Sequence, residues 1–85
     1  MKKQKLPKWF KGSLYTEGLI VENPFSGEEY ELTNVELSMY DFIIGSQRVF
    51  EVAPKTVTTK QVNDFHKALT WFRKNNSEAY MVLLD

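Results

Sequence analysis

Two stretches with the same spacing, Thr33-Asn34-Val35-Glu36 and Thr58-Thr59-Lys60-Gln61, constrain this chain more than anything else in it. In each, a threonine hydroxyl can accept from the backbone N–H three residues on, while the Glu or Gln at that position reaches back to the threonine N–H. Two of the orphan donors at a helix start are thereby satisfied together. Apolar residues at helical intervals follow both, so the spacing predicts helices over 34–51 and 58–75. The second helix stops near Asn75-Asn76, and Ala53-Pro54-Lys55 separates the two. Whatever precedes residue 33 and follows residue 75 must then cover their apolar faces.

The segment before the first helix reads as a β-hairpin over 13–33. Leu14 to Glu22 and Glu28 to Thr33 flank NPFSG, in which Asn23 can start a turn, Pro24 presets φ and Gly27 can take positive φ. Glu29 and Glu31 alternate with Tyr30 and Leu32, which gives the second strand one wet face and one apolar face.

The first helix has more apolar surface than one partner can cover. Val35, Met39, Phe42, Ile43, Ser46, Val49 and Phe50 fall on one side at 100° per residue, and Leu37, Tyr40 and Ile44 form a second stripe roughly opposite. Gly45 lies inside it, at a cost of about 1 kcal/mol relative to alanine, so a helix that stops near Ser46 with RVFEV continuing as a strand is the other reading, and helix to about Phe50 is the better one. The second helix carries Val62, Phe65, Ala68, Leu69 and Phe72 as its apolar side, while Trp71 projects well away from that stripe beside Asp64 and Lys67. Residues 77–85 suit a short helix after a cap at Asn76 or Ser77, and also a buried strand; helix is the slightly better reading.

A chain of 85 residues is one domain and buries only about 60–65 % of the surface its unfolded form exposes, so most large apolar side chains are needed in its core. Two Trp, four Tyr and six Phe supply much of that area. There is no cysteine, hence neither a disulfide nor a thiolate metal site, as expected of a reducing compartment. Leu6 and Pro7 follow the first lysines where a secretory signal would carry an apolar run. The longest such run, AYMVLL at 79–84, is far shorter than the roughly 20 residues a bilayer requires. The expectation is a cytoplasmic protein without a membrane span.

Charge is unevenly placed although it sums to zero. Lys2, Lys3, Lys5, Lys8 and Lys11 surround Trp9 and Phe10 in a basic arm over 1–12, and none of the eleven acids lies there. Residues 17–51 hold eight acids, Glu17, Glu22, Glu28, Glu29, Glu31, Glu36, Asp41 and Glu51, against the single base Arg48. Paired carboxylates can hold Mg²⁺ or serve as acid and base, but no distinctive spacing signals either use, and a solvated strand face accounts for them better. Those acids could also face the basic arm, within one chain or on a neighbouring copy.

Catalytic signatures are missing. His66 is the only histidine, which excludes multi-histidine metal sites, and no serine sits in a G-x-S-x-G elbow. Four glycines cannot write a Walker or dinucleotide fingerprint. No enzyme activity, cofactor or metal is expected.

The stretches NPFSGEEYELTNVELSMYDFIIGSQ and HKALTWFRKNNSEAYMVLLD resemble small uncharacterised proteins encoded by tailed phages of marine cyanobacteria. The likeness covers most of the chain beyond the arm and rests on a turn, a capped helix and a C-terminal pattern. It implies a viral accessory protein acting in the cytoplasm of an infected cell, and it transfers no functional residues.

The expected fold is α+β: an N-terminal antiparallel β-hairpin, with or without a third strand, packed against two α-helices and a short C-terminal element. The expected function is a non-enzymatic protein-interaction module that forms a homo-oligomer, a dimer first, or docks on a host or viral protein. Phe25, Leu37, Tyr40, Ile44 and Trp71 are its candidate contacts. The alternative is single-stranded nucleic-acid binding, with Lys2, Lys3, Lys5, Lys8 and Lys11 on phosphates and Trp9, Phe10 or Tyr15 on bases. The acidity of the remaining chain weighs against it. The simpler expectation for the arm is a tether, with Trp9 and Phe10 on the domain and the lysines solvated or facing the acidic segment.

Overall fold

A computed structural model describes residues 4–10, 12 and 14–84. Its elements run β1 (Leu19–Glu22), β2 (Glu29–Leu32), α1 (Asn34–Val52), a single 3₁₀ turn at Pro54–Thr56, α2 (Thr59–Asn75) and α3 (Ser77–Leu83). This is the α+β arrangement expected, and residues 77–83 are helical. No helix among the described residues is long and apolar enough to cross a membrane.

Both capping boxes are formed. Thr33 Oγ1 accepts from Glu36 N at 3.2 Å and Glu36 Oε1 from Thr33 N at 2.9 Å. Thr58 and Gln61 repeat the pair at 3.1 and 2.7 Å. Asn76 caps α3 through Oδ1, which accepts from Ala79 N at 3.1 Å. Only one residue therefore separates α2 from α3, and the chain bends sharply there.

β1 and β2 pair antiparallel, with Leu19 opposite Leu32 and Val21 opposite Tyr30. The strands are shorter than the hairpin boundaries 13–33 suggest, and among the described residues the sheet has two strands, not three. Residues 14–18 spend their polar groups elsewhere: Tyr15 N donates to Ser38 Oγ at 3.0 Å, and Asn34 Nδ2 donates to Tyr15 O at 3.3 Å. This segment thus lies across the start of α1 instead of lengthening β1. A two-stranded sheet is marginal alone, and it leans on α3 and α1 through β2.

The turn between the strands is held from within. Asn23 Oδ1 accepts from Phe25 N at 2.8 Å and Ser26 N at 3.3 Å, and Gly27 N donates to Asn23 O at 2.9 Å. Gly27 has φ +79°, the left-handed region a side chain disfavours. Asn23 Nδ2 also donates to Val82 O at 2.9 Å, which fastens the turn to the end of α3.

The core joins Leu32 of β2, Leu37, Met39 and Ile43 of α1, Ala68 and Phe72 of α2, and Ala79 and Leu83 of α3. Ala68 and Ala79, both fully buried, are the small side chains that let packed helices approach closely. Phe72 is the largest fully buried side chain.

Two glycines should respond in opposite directions to a side chain. Gly27→Val should cost about 1 kcal/mol or more, through backbone conformation alone, since a Cβ there meets nothing within 4 Å. Gly45 is in the middle of α1 and a Cβ there also meets nothing within 4 Å, so Gly45→Ala should stabilise by roughly 0.5–1 kcal/mol. Urea denaturation of the two variants measures both.

Candidate interaction surfaces

The N-terminal arm is docked on the helices. Gln4 Nε2 donates to Glu36 Oε2 at 2.7 Å, and Gln4 Oε1 accepts from Thr33 Oγ1 at 2.9 Å. Leu6 packs against the core, and the rings of Trp9 and Phe10 lie 6.0 and 5.5 Å from that of Phe42. Trp71 has its partner in the same segment, because its Nε1 donates to Lys5 O at 3.1 Å. Its position off the apolar stripe of α2 follows: it meets the arm rather than α1.

Glu36 is the polar centre of this region. Its carboxylate is only 3 % exposed and accepts from Thr33 N, Gln4 Nε2 and, at 2.9 Å, Asn76 Nδ2. One side chain thereby joins the arm, the start of α1 and the α2–α3 bend. Ser38, also buried, donates to Asn34 O at 2.8 Å while accepting from Tyr15 N. The capping-box spacing revealed one of the bonds to Glu36. Its bonds to Gln4 and Asn76 join residues 32 and 40 positions apart, for which no local pattern exists.

The five candidate contacts fare differently. Leu37 is 8 % exposed and belongs to the core, so it is unsuited to an interface. The helical wheel placed it on a bare stripe, but the first turns of α1 take bonds from Tyr15, from Gln4 of the arm and from Asn76 at the α2–α3 bend. Trp71 is half-buried against the arm. Tyr40 is half-buried with its ring 6.5 Å from that of Phe72, and burial pushes its phenol above the usual pKa. Ile44 is 39 % and Phe25 is 98 % exposed. Lys5 and Lys8 are exposed, whereas Lys2, Lys3 and Lys11 lie outside the described residues.

Three of these residues meet at one hollow. Phe25, Tyr40 and Ile44, with Pro24, Leu83 and Leu84, line a groove of about 240 Å³ whose only other lining residues are Asn23 and Gln47. Among the described residues no charged side chain lines it. The walls from Leu83 and Leu84 could not be anticipated from sequence, since they depend on how α3 packs.

A second hollow, about 440 Å³, separates the arm from α2 and is lined by Pro7, Trp9, His66, Lys67, Thr70, Trp71 and Lys74. A third, about 500 Å³, brings Asp41 and Asp64 to one rim. Asp64 is already paired with Lys60 at 2.7 Å. Among the described residues no group of three or more His, Asp or Glu stands where a metal ion could be held. His66 is exposed, with its ring edge-on to Phe65 at 5.8 Å.

Removing the Glu36 carboxylate should be far more damaging than an ordinary surface change. Glu36→Ala leaves three donors without their acceptor and should destabilise by roughly 3 kcal/mol, and Glu36→Gln, which turns an amide donor toward other donors, by about 1–2 kcal/mol. Chemical denaturation with near-UV circular dichroism reports the loss, and both variants should also raise Trp71 solvent exposure as the arm loosens.

Comparison with protein-family models, with curated proteins and with solved structures finds no match for this chain.

Proposed function

We propose that this chain is a small non-enzymatic interaction module that pairs with a second copy through the groove carrying Phe25, Tyr40 and Ile44. The supporting observation is Phe25. Its ring is 98 % exposed, yet its backbone is fixed, by the bond to Asn23 Oδ1 and through Asn23 to Val82 O. A phenylalanine in water forgoes about 1.5–3 kcal/mol of burial, and a firm turn that holds it there presents it to something.

A knob and an apolar hollow on the same surface are what a two-fold contact uses: Phe25 of each copy enters the groove of the other beside Ile44. The described lining of the groove is uncharged and so brings no like charges together, although Glu22 and Glu28 flank the turn. Leu37 and Trp71 take no part in this contact. The likeness to phage-encoded proteins supports a setting in the cytoplasm of an infected cell, where such a module serves as an accessory protein.

Sedimentation equilibrium at micromolar concentration should give about twice the 10.0 kDa chain mass. Phe25→Ala and Ile44→Asp should each return a folded monomer, with circular dichroism unchanged, and Trp71→Ala should lower stability without altering the assembly. A wild-type protein that stays monomeric at millimolar concentration would refute the reading.

A further inference from the structure

We propose that the cleft between the arm and α2 binds a short run of single-stranded nucleic acid, with bases on the exposed parts of Trp9 and Trp71 and phosphates on Lys67 and Lys74. The inference is independent of self-association, because the cleft shares no residue with the Phe25 groove.

The lining is selective in composition. It has two indoles, two lysines, a histidine, a proline and a threonine, and no acid, in a chain with as many acids as bases. The one ion pair on α2 among the described residues is Lys60–Asp64. It occupies the acid nearest to Lys67, while Glu78, the acid nearest to Lys74, accepts from Tyr30 OH at 3.4 Å, and among the described residues neither lysine has an acidic partner within 4.0 Å. Lys5 and Lys8, both exposed, belong to the arm that makes the opposite wall. Docking through Trp71 and Lys5 therefore adds the arm's charge to that of α2.

The cleft also continues. A smaller hollow of about 210 Å³ shares His66 and Thr70 with it and adds Leu69, Arg73 and Tyr80. Together the two hollows are lined by the rings of Trp9, Trp71, His66 and Tyr80 and by the cations Lys67, Arg73 and Lys74. From His66 to Lys74 is about 12 Å along the helix, the length of roughly three stacked nucleotides. Alternating π faces and cations are how proteins hold single strands without reading sequence: each base offers a ring to stack, and each phosphate a charge. An acidic peptide would satisfy the lysines but leave the indoles unused, and a duplex keeps its bases out of reach.

The test is fluorescence anisotropy with a fluorescein-labelled mixed-sequence 12-nucleotide DNA strand and the full chain. Micromolar binding at 50 mM NaCl should weaken roughly 20- to 50-fold at 200 mM, as three or four phosphate contacts imply. Unlabelled strand should quench tryptophan emission. Lys67→Glu/Lys74→Glu should lose at least tenfold in affinity, whereas Arg48→Glu/Lys55→Glu, equal in charge change, exposed and outside the cleft, should lose less than threefold.

The proposal is overturned by absence of binding at 50 µM protein, by equal losses in the two double variants, by unchanged tryptophan emission, or by equal affinity for the 12-base-pair duplex. It is overturned also if the strand does not bind and Lys67→Glu/Lys74→Glu instead abolishes a salt-sensitive oligomer in sedimentation, which would give the cleft to the acidic hairpin of a second copy.

Discussion

The Glu36 carboxylate is the interaction on which the rest of this small protein depends. A buried charge is expensive unless hydrogen bonds replace its water, and here three donors arrive from three parts of the chain: Thr33 N, Gln4 Nε2 and Asn76 Nδ2. Its location in the first turn of α1 adds the favourable end of the helix dipole. No buried side-chain oxygen or nitrogen among the described residues lacks a hydrogen-bond partner. Asn76 then passes the constraint on, because the side chain that donates to Glu36 also caps α3 through Oδ1. The direction of α3 is thereby tied to the same carboxylate that starts α1.

Once α3 and the arm are placed, the surfaces are determined by what they cover and what they leave. α3 packs on β2 and α2 and its last residues wall the groove beside Phe25. The arm, held by Gln4 and by Trp71, covers Phe42 with two rings and brings the backbone of Lys5 against α2. Acids remain along the hairpin and the outer side of α1, and unpaired bases gather along α2 and the arm. Zero net charge thus conceals two faces of different character, one apolar and knobbed, the other aromatic and basic.

Much of the secondary structure is legible locally. Thr33-x-x-Glu36 and Thr58-x-x-Gln61 specify helix starts because a capping box is made within four residues, and NPFSG specifies a turn because Gly27 tolerates positive φ where few residues do. The strand lengths are less legible: Leu14 to Gly18 reads as the first part of the hairpin's first strand, but backbone groups of Tyr15 bond to α1. The wheel of α1 identifies its apolar residues correctly yet misassigns Leu37 to a bare stripe, since a wheel shows direction and not which neighbours stand there.

The candidate surfaces divide in the same way. That Phe25 and Ile44 are apolar, and that Trp71 departs from its stripe, is written in the order of residues. The meeting of Phe25 with Tyr40, Ile44 and Leu83, and of Trp9 with Trp71 and Lys74, joins positions far apart in the chain. The sequence by itself determined the helix starts, the turn, the wet strand face and the gathering of positive charge at one end, all of them governed by groups within a few residues of each other. Tertiary structure alone decided that Leu37 is core, that Trp71 faces the arm and that Trp9 stands across a cleft from Lys67 and Lys74. Those outcomes rest on a buried carboxylate that must find donors wherever the folded chain brings them, and a bond between residues 4 and 36 or between 36 and 76 leaves no periodic trace.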